Sequence, residues 1–313
     1  MTAASLKVRE PFLLAAVGVL FVALFHFAGN ASNVAMEGRS VFGWLFAQWT
    51  LPNGDFSHAW LMPLVSLGFL LRDRRALASA PRQVSLAGLL ATAGLLAFHV
   101  AAFRAQQPRL SAMAMAGLLW AMPCALYGRQ VARLLRFPCA YLLLCIASYF
   151  LVTLTFKLRL MASALAGVLL NGIGIAAARS GTAIYSAAGG GFHFDVADPC
   201  SGLRSLVVMT ALAAPYAHMT QPTARRRWAL FLSAVPLAVV ANAVRIVTIA
   251  LAAEGFGQEV AMRMYHDYSG YLVFVIATIL LMATGRLIDK CRLPSRPPWT
   301  QNASKPASPS SAA

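Results

Sequence analysis

Long uninterrupted apolar runs are the feature that most restricts what this chain can fold into. Several of them reach the roughly 18–20 residues needed to cross a hydrocarbon core about 30 Å thick. Apolar types make up 59% of the sequence and charged types only 12%, so few positions interrupt these runs. Lipid offers no water to an unpaired backbone group, so each crossing run must be helical. The sequence therefore predicts an all-α polytopic membrane protein.

We assign eight transmembrane helices to the apolar runs. The first is interpreted as an uncleaved signal anchor, because Gly29-Asn30-Ala31 is a weak cleavage site and further runs follow it. The Pro-, Ser- and Ala-rich segment 294–313 is predicted to be a disordered cytoplasmic tail, which leaves one membrane domain over residues 1–293. The eight helices are predicted at residues 12–28, 56–71, 84–103, 110–127, 138–156, 201–219, 228–251 and 268–285.

The distribution of positive charge predicts the orientation of these helices. Seventeen of the 26 Lys and Arg residues lie in the two termini and in the loops on the same side, including Arg225–Arg227. This positive-inside pattern puts both termini in the cytoplasm, and we expect the protein in the inner membrane of the cell. It also accounts for the net charge of +16. The basic clusters are short, scattered and without a recognition motif, so no nucleic-acid partner is expected.

The outer loop at residues 157–200 is predicted to contain two local structures. Residues 160–178 are apolar enough for a ninth span, but a ninth span would put the later basic clusters outside. We therefore predict a small helix at the outer interface. Two strand-like runs, 182–186 and 192–196, flank a triple glycine and predict a β-hairpin on the outer surface.

Cys200 is a candidate nucleophile because it is the single cysteine that the topology places on the outer side. Asp198 is suited to cap the sixth span, and Pro199 is suited to its first turn. The positive end of the helix dipole then favours the Cys200 thiolate over the thiol. Free backbone N–H groups in the same turn suit an oxyanion. A small buried cysteine without chemistry is the alternative interpretation.

Arg245 is a candidate functional cation inside the seventh span. Counted from Trp228 at about 1.5 Å per residue, it lies roughly 25 Å across the membrane, near the outer boundary. An ionisable residue inside a span indicates function, with snorkelling to the outer headgroups as the alternative. Asn242 shares its helix face and is expected to orient the guanidinium. Arg204, four residues after Cys200, is a competing cation.

His266 immediately precedes the last span, at the depth predicted for Cys200 and Arg245. A capping or interfacial histidine is the alternative interpretation. Together, a thiol, an imidazole and a guanidinium suit nucleophilic catalysis, with His moving protons and Arg stabilising the thiolate or the oxyanion. We therefore expect acyl transfer on an amide or ester, without a metal or a cofactor.

The segments around these residues resemble the signature blocks of the exosortase/archaeosortase family. Three blocks are Asp-Pro-Cys-Ser-Gly-Leu-Arg-Ser-Leu at 198–206, Asn-Ala-Val-Arg-Ile at 242–246 and His-Asp-Tyr-Ser-Gly at 266–270. The segment 56–63, Phe-Ser-His-Ala-Trp-Leu-Met-Pro, is similar to the family's first motif. The resemblance implies a multi-pass cysteine protease or transpeptidase. Its substrates would be exported proteins with a C-terminal sorting signal, comprising a short motif, often Pro-Glu-Pro, a transmembrane helix and a basic cluster.

By this resemblance, Cys200 is the nucleophile, Arg245 the arginine and His266 the third catalytic residue. His58, at the start of the second span on the same side, is left as an alternative imidazole. The expected partners are exported proteins, membrane lipid and a lipid- or glycan-linked acceptor. A non-enzymatic transporter or assembly partner for an envelope polymer is the alternative function. The residues expected to support the site are Asn242, Arg204, His58 and Ser201.

Overall fold

The chain is mostly helical throughout the part that the structure describes. The computed structural model describes residues 3–30, 38–51, 56–146, 149–187, 192–195 and 202–290. The predicted tail 294–313 lies outside these residues. The helices are α1 Ala3–Phe27, α2 Val41–Thr50, α3 Leu61–Arg72, α4 Arg74–Ser79, α5 Leu86–Arg104, α6 Pro108–Tyr127, α7 Arg129–Leu142, α8 Tyr149–Gly172, α9 Gly202–Thr220, α10 Ala224–Phe256 and α11 Gln258–Lys290.

Four of the described helices contain stretches that are long and apolar enough to cross a membrane. Shorter apolar stretches occur in α1, α3 and α9, at Leu14–Phe27, Leu61–Arg72 and Leu206–Thr220. The predicted helical membrane protein is therefore confirmed, while the number of eight spans stays a prediction. The four candidate spans are Leu86–Arg104, Pro108–Tyr127, Leu154–Gly172 and Ala224–Phe256.

The fifth predicted span, 138–156, is not one helix. Helix α7 begins at Arg129, in a segment that we had assigned to a cytoplasmic loop, and ends at Leu142. A single 3-10 turn follows at Leu143–Cys145. The arginines of α7 occupy one exposed face, while Val131, Ala132 and Leu135 are buried on the other. The prediction was wrong here because charges on one face of a helix look like a loop in sequence.

The small interfacial helix predicted at 160–178 is also wrong in its bounds, and the stretch Leu154–Gly172 is long and apolar enough to cross a membrane. Helix α8 runs continuously from Tyr149 to Gly172 and includes Lys157, which is exposed, and Arg159. Buried side chains recur every four residues along α8, so they lie on one face of the helix. The positions on that face are Leu158, Ala162, Ala166 and Leu170.

A short helix, α2, lies inside the segment 29–55 that we predicted as a loop. Ser40 caps it, since its hydroxyl accepts a hydrogen bond from the Gly43 N–H at 3.1 Å, as expected for a serine at this position. At the other end of α2, the Trp49 Nε1–H donates to the carbonyl of Cys145 at 3.1 Å. This bond ties α2 to the point where α7 ends.

The predicted β-hairpin is present, as part of a three-stranded antiparallel sheet. The strands β1 Ala177–Ser180, β2 Ala183–Ser186 and β3 His193–Asp195 are arranged in the order β1-β2-β3. The triple glycine between β2 and β3 lies outside the described residues. Strand β1 was missed because four residues without alternating polarity give no strand signal. Asn171 connects the sheet to α8, because its side-chain amide pairs with the backbone N–H and carbonyl of Ala177 at 3.2 and 2.9 Å.

Helices α9, α10 and α11 run antiparallel to their neighbours in sequence. Three residues, 221–223, connect α9 to α10, and Gly257 alone connects α10 to α11. Gly257 has φ +86°, a left-handed conformation that favours glycine. Connections this short force consecutive helices to pack side by side in opposite directions. Together with α8 they enclose the largest buried cluster, which includes Ile184 and Phe192 from the sheet region.

The two ends of the bundle differ in character. At one end, the ring of His218 near the end of α9 stacks on Phe137 of α7 at 3.8 Å and meets Phe69 of α3 edge-on at 5.5 Å. Three arginines and one aspartate lie near the same histidine, so this end is predominantly basic; they are Arg72, Arg136, Arg227 and Asp73. The opposite end holds the sheet, the α10–α11 connection and the start of α9. Since α7 begins near the basic end and α8 ends at the sheet, these two helices together traverse the bundle once.

Candidate active site

The start of α9 lies at the level of Asn242 and Arg245 on α10. Gly202 is 18 residues before the end of α9 at Thr220, and Asn242 is 18 residues after the start of α10 at Ala224. At about 1.5 Å per residue, both positions are about 27 Å from the short connection between the two helices. The first described residue of α9, Gly202, is therefore at about the level of Asn242 and Arg245.

His266 lies at nearly the same level on α11. It is eight residues after Gln258, and Thr248 is eight residues before the end of α10 at Phe256. The backbone of His266 is therefore level with Thr248, about 5 Å along the axis from Arg245. Three segments distant in sequence thus lie within about 9 Å of one another along the bundle axis.

Arg245 and Asn242 are both buried in the bundle. The Arg245 side chain is 8% exposed and that of Asn242 is 2% exposed, and their neighbours on the same face of α10 are small or aliphatic. This burial argues against snorkelling to lipid. Within the described residues, no donor reaches the Asn242 Oδ1. A buried guanidinium and a buried amide with spare acceptor capacity are typical of a functional site inside a membrane bundle.

The alternative imidazole, His58, lies on the surface of the same region. It is exposed, in the turn that precedes α3, and its Nδ1 is 3.3 Å from the Ser57 hydroxyl. Its neighbours Phe56 and Ala59 are buried in one cluster with Val207 of α9. The structure therefore brings the turn that contains His58 beside the first half of α9, the helix that Cys200 precedes in sequence.

The candidate nucleophile, Cys200, lies outside the described part of the chain. Cys200 and Ser201 precede the first described residue of α9 by two and one positions. For Arg204 in the first turn of α9 and for His266 in α11, the structure describes the backbone and not the side chain. Helices α9, α10 and α11 pack against one another, while the contacts between the candidate catalytic side chains stay a prediction.

The sheet is fastened beside this region by Gln258, a residue that the sequence analysis missed. The Gln258 Oε1 accepts from the His193 N–H at 3.3 Å, and the Gln258 Nε2 donates to the His193 carbonyl at 2.8 Å. Strand β3 ends at Asp195, five residues before Cys200. A lone glutamine after a helix-breaking glycine has no sequence signature, so nothing in the pattern identifies this contact.

The local electrostatics of the site favour an anion. The amino-terminal end of α9 carries the positive end of the helix dipole. The buried Arg245 adds a full positive charge at the same level. Together these groups suit a thiolate or a tetrahedral oxyanion.

The comparison with protein families gives one match. A family model described as transmembrane exosortase (Exosortase_EpsH) matches residues 44–283, which are 240 of the 313 residues. The matched segment contains α3 to α10 and all the candidate site residues, from His58 to His266. Searches of curated proteins and of solved structures found no match to the chain.

Proposed function

Because the chain belongs to the transmembrane exosortase family, we propose that it is a membrane-embedded cysteine transpeptidase acting on C-terminal sorting signals. The observation that supports this most directly is the similar level of three segments. Along the bundle axis, the buried Arg245 lies about 5 Å from the start of α9 and about 5 Å from the backbone of His266, and these two lie about 9 Å from each other. Cysteine-based acyl transfer requires a thiol, a cation and an imidazole close together.

We place the site on the outer side of the membrane. Arg225–Arg227 mark the cytoplasmic end of α10 by the charge rule. The 33 residues of α10 extend about 50 Å, which exceeds a hydrocarbon core of about 30 Å by roughly 20 Å. Arg245 then falls near the outer boundary, and the sheet is joined to Gln258, which follows the far end of α10.

The proposed topology keeps eight crossings, although two of the helices differ from those predicted. Helices α7 and α8 count as one broken crossing, since α7 begins near the basic end and α8 ends at the sheet. The other seven crossings are α1, α3, α5, α6, α9, α10 and α11. Both termini then lie in the cytoplasm, in agreement with the basic clusters.

The proposed reaction is acyl transfer in two halves. The Cys200 thiolate attacks the scissile carbonyl, and Arg245 stabilises the oxyanion. When the C–N bond breaks, His266 gives a proton to the departing amine, and the C-terminal helix of the substrate stays in the bilayer. An acceptor amine then attacks the thioester and gives its proton to His266, which releases the product and regenerates the thiolate. Asn242 is proposed to orient the guanidinium.

The test is substrate processing in cells. A reporter ending in a Pro-Glu-Pro motif, a transmembrane helix and a basic cluster is co-expressed with the wild type, and its size is followed on a gel. Cys200→Ala, Arg245→Ala and His266→Ala are each expected to leave the precursor uncleaved at normal membrane levels. Matched changes of the same residue types away from the site, Cys124→Ala, Arg75→Ala and His26→Ala, are expected to preserve cleavage.

Cleavage that continues in Cys200→Ala would exclude the cysteine mechanism and favour the transporter or assembly-partner alternative. A second test detects the thioester intermediate itself and does not depend on the identity of the acceptor. Hydroxylamine added to cells should release a processed reporter trapped as a thioester on the wild type, and no such adduct should form on Cys200→Ala.

A further inference from the structure

A groove between α6 and α7 combines an apolar wall with a single guanidinium. Its cavity volume is about 180 Å³, and Arg136 lies at its edge. Three of the other lining residues have no side chain larger than a methyl group, which leaves the space unfilled. These other lining residues are Ala116, Gly117, Trp120, Cys139, Ala140 and Leu143.

The walls of the groove are held in place. The Trp120 Nε1–H donates to the Ala132 carbonyl of α7 at 2.8 Å, which fixes the indole across the two helices. Cys139 is buried at the back of the groove, while Ala140 is exposed at its open side. The groove is therefore an opening on the surface of the bundle with a fixed shape, accessible from the side.

One face of α7 changes from basic to apolar along its length. Arg129, Arg133 and Arg136 are exposed at a spacing of four and three residues, so they share a face. Ala140 and Leu143 continue this face, and both are exposed. Within the described part of the chain, no carboxylate forms an ion pair with Arg133 or Arg136. Three exposed cations on one face, followed by an apolar groove, complement an anionic headgroup followed by an acyl chain.

The level of Arg136 matches that of a lipid headgroup. Its neighbour Phe137 stacks on His218, two residues before α9 ends at Thr220. This is the basic end of the bundle, which the charge rule places at the cytoplasmic surface. Leu143 lies about 10 Å farther along α7 toward the other end, so the groove extends from the headgroup level into the bilayer.

We infer that the α6–α7 groove binds one anionic phospholipid of the inner leaflet. Its phosphate contacts Arg136, with Arg133 alongside, and one acyl chain lies on Ala140 and Trp120. Basic pockets between transmembrane helices on the cytoplasmic side suit anionic headgroups. A zwitterionic headgroup is disfavoured because its own cation would approach the same arginines. The site lies at the opposite end of the bundle from Arg245 and is separate from the proposed active site.

Lipid retention tests this inference without any use of activity. The full-length protein is purified from nanodiscs that contain equal amounts of dioleoylphosphatidylglycerol and dioleoylphosphatidylcholine, and the lipids it retains are counted by native mass spectrometry. The wild type is expected to retain one phosphatidylglycerol in preference to phosphatidylcholine. Arg136→Gln should lower this retention about fivefold, the factor expected for one basic residue at an anionic surface. Ala140→Phe should abolish it by filling the groove.

Matched variants separate the site from general effects. Arg136→Lys keeps the charge and should keep most of the retention, whereas Arg75→Gln and Ala93→Phe alter an exposed arginine and an exposed alanine elsewhere and should change nothing. Equal retention of the two lipids by the wild type would overturn the inference, and so would unchanged retention in Ala140→Phe. Displacement of the lipid by soluble glycerol phosphate would also overturn it, because the acyl chain would then contribute nothing.

Discussion

Gln258 binds the backbone of His193 through both polar atoms of its side-chain amide, at 3.3 and 2.8 Å. The amide thus donates to and accepts from one residue, as the next strand of a sheet would. His193 is in β3, at the edge of the sheet, and Gln258 is the first residue of α11. The contact covers part of an edge that would otherwise present unpaired backbone groups. It also fixes the sheet to the helix that contains His266.

Replacing Gln258 should loosen the sheet without unfolding the bundle. In Gln258→Ala both hydrogen bonds are lost, each worth about 0.5–1.5 kcal/mol, so amides of 183–195 should exchange faster in hydrogen-exchange mass spectrometry. Gln258→Glu keeps an acceptor for the His193 N–H but places an oxygen against its carbonyl, so it should also increase exchange. Gln130→Ala, a change of an exposed glutamine on α7, is the control. Unchanged exchange in both Gln258 variants would show that the sheet is held by other contacts.

Gly88 is expected to be essential for the packing of α5 on α6. A Cβ added there would lie 2.4 Å from the Ala125 backbone nitrogen, whereas one added at Gly94 on the same helix would meet nothing within 4 Å. Gly88→Ala should therefore lower the free energy of unfolding by about 1–3 kcal/mol through overpacking. Gly94→Ala should be neutral or slightly stabilising, since alanine favours helix over glycine. Thermal unfolding in detergent measures both, and equal melting temperatures would contradict the close approach.

The helices most accurately predicted from the sequence are those whose charges lie outside the apolar run. The predicted bounds of α5, α6 and α9 are within a few residues of those observed. Helices α7 and α8 were divided wrongly, because Arg133 and Lys157 lie on exposed faces of helices that continue past them. An apolar run in the sequence identifies the part of a helix that has no charged residue on any face. It does not identify the first residue of a helix that has charged residues on one face.

The candidate site was also predicted only in part from the sequence. Arg245 could be predicted because a cation inside an apolar run is conspicuous, and its burial agrees with that prediction. The link between Gln258 and His193 joins residues 65 positions apart. It depends on how the sheet packs against α11, and neither residue type signals such a contact. Local patterns identify chemistry within one helix, whereas contacts between elements are determined by tertiary packing.

Arg245 should require its guanidinium and not only its charge. The residue is 8% exposed, so its hydrogen-bonding groups are fixed by the surrounding helices. Lysine has one compact ammonium and cannot reproduce the planar fork of arginine. We expect Arg245→Lys to reach normal membrane levels and to slow reporter cleavage by about 10²–10³-fold, the effect of losing an oxyanion donor. Wild-type cleavage in this variant would reduce the role of Arg245 to a structural charge.

Asn242 should affect the rate through Arg245. An aspartate at 242 would lie on the same face, three residues from Arg245, and would pair with the guanidinium. Asn242→Asp should therefore slow reporter cleavage more than Asn242→Ala, which removes the amide without adding charge. When an Asn242 variant is combined with Arg245→Lys, their effects on the rate of reporter cleavage should be less than additive, because the two residues act together. Independent effects would show that Asn242 does not position the arginine.

The two candidate imidazoles can be distinguished by chemical rescue. The His266 backbone lies about 5 Å along the bundle axis from Arg245 on the neighbouring helix, whereas His58 is exposed and its Nδ1 is 3.3 Å from the Ser57 hydroxyl. His266→Gly should slow cleavage by about 10²–10⁴-fold, the usual contribution of a general acid–base group. Added imidazole should restore part of that rate, and it should not rescue Cys200→Ala. His58→Gly should cleave close to the wild-type rate with or without imidazole. The reverse pattern would assign proton transfer to His58, whose neighbours Phe56 and Ala59 already pack in one cluster with Val207 of α9.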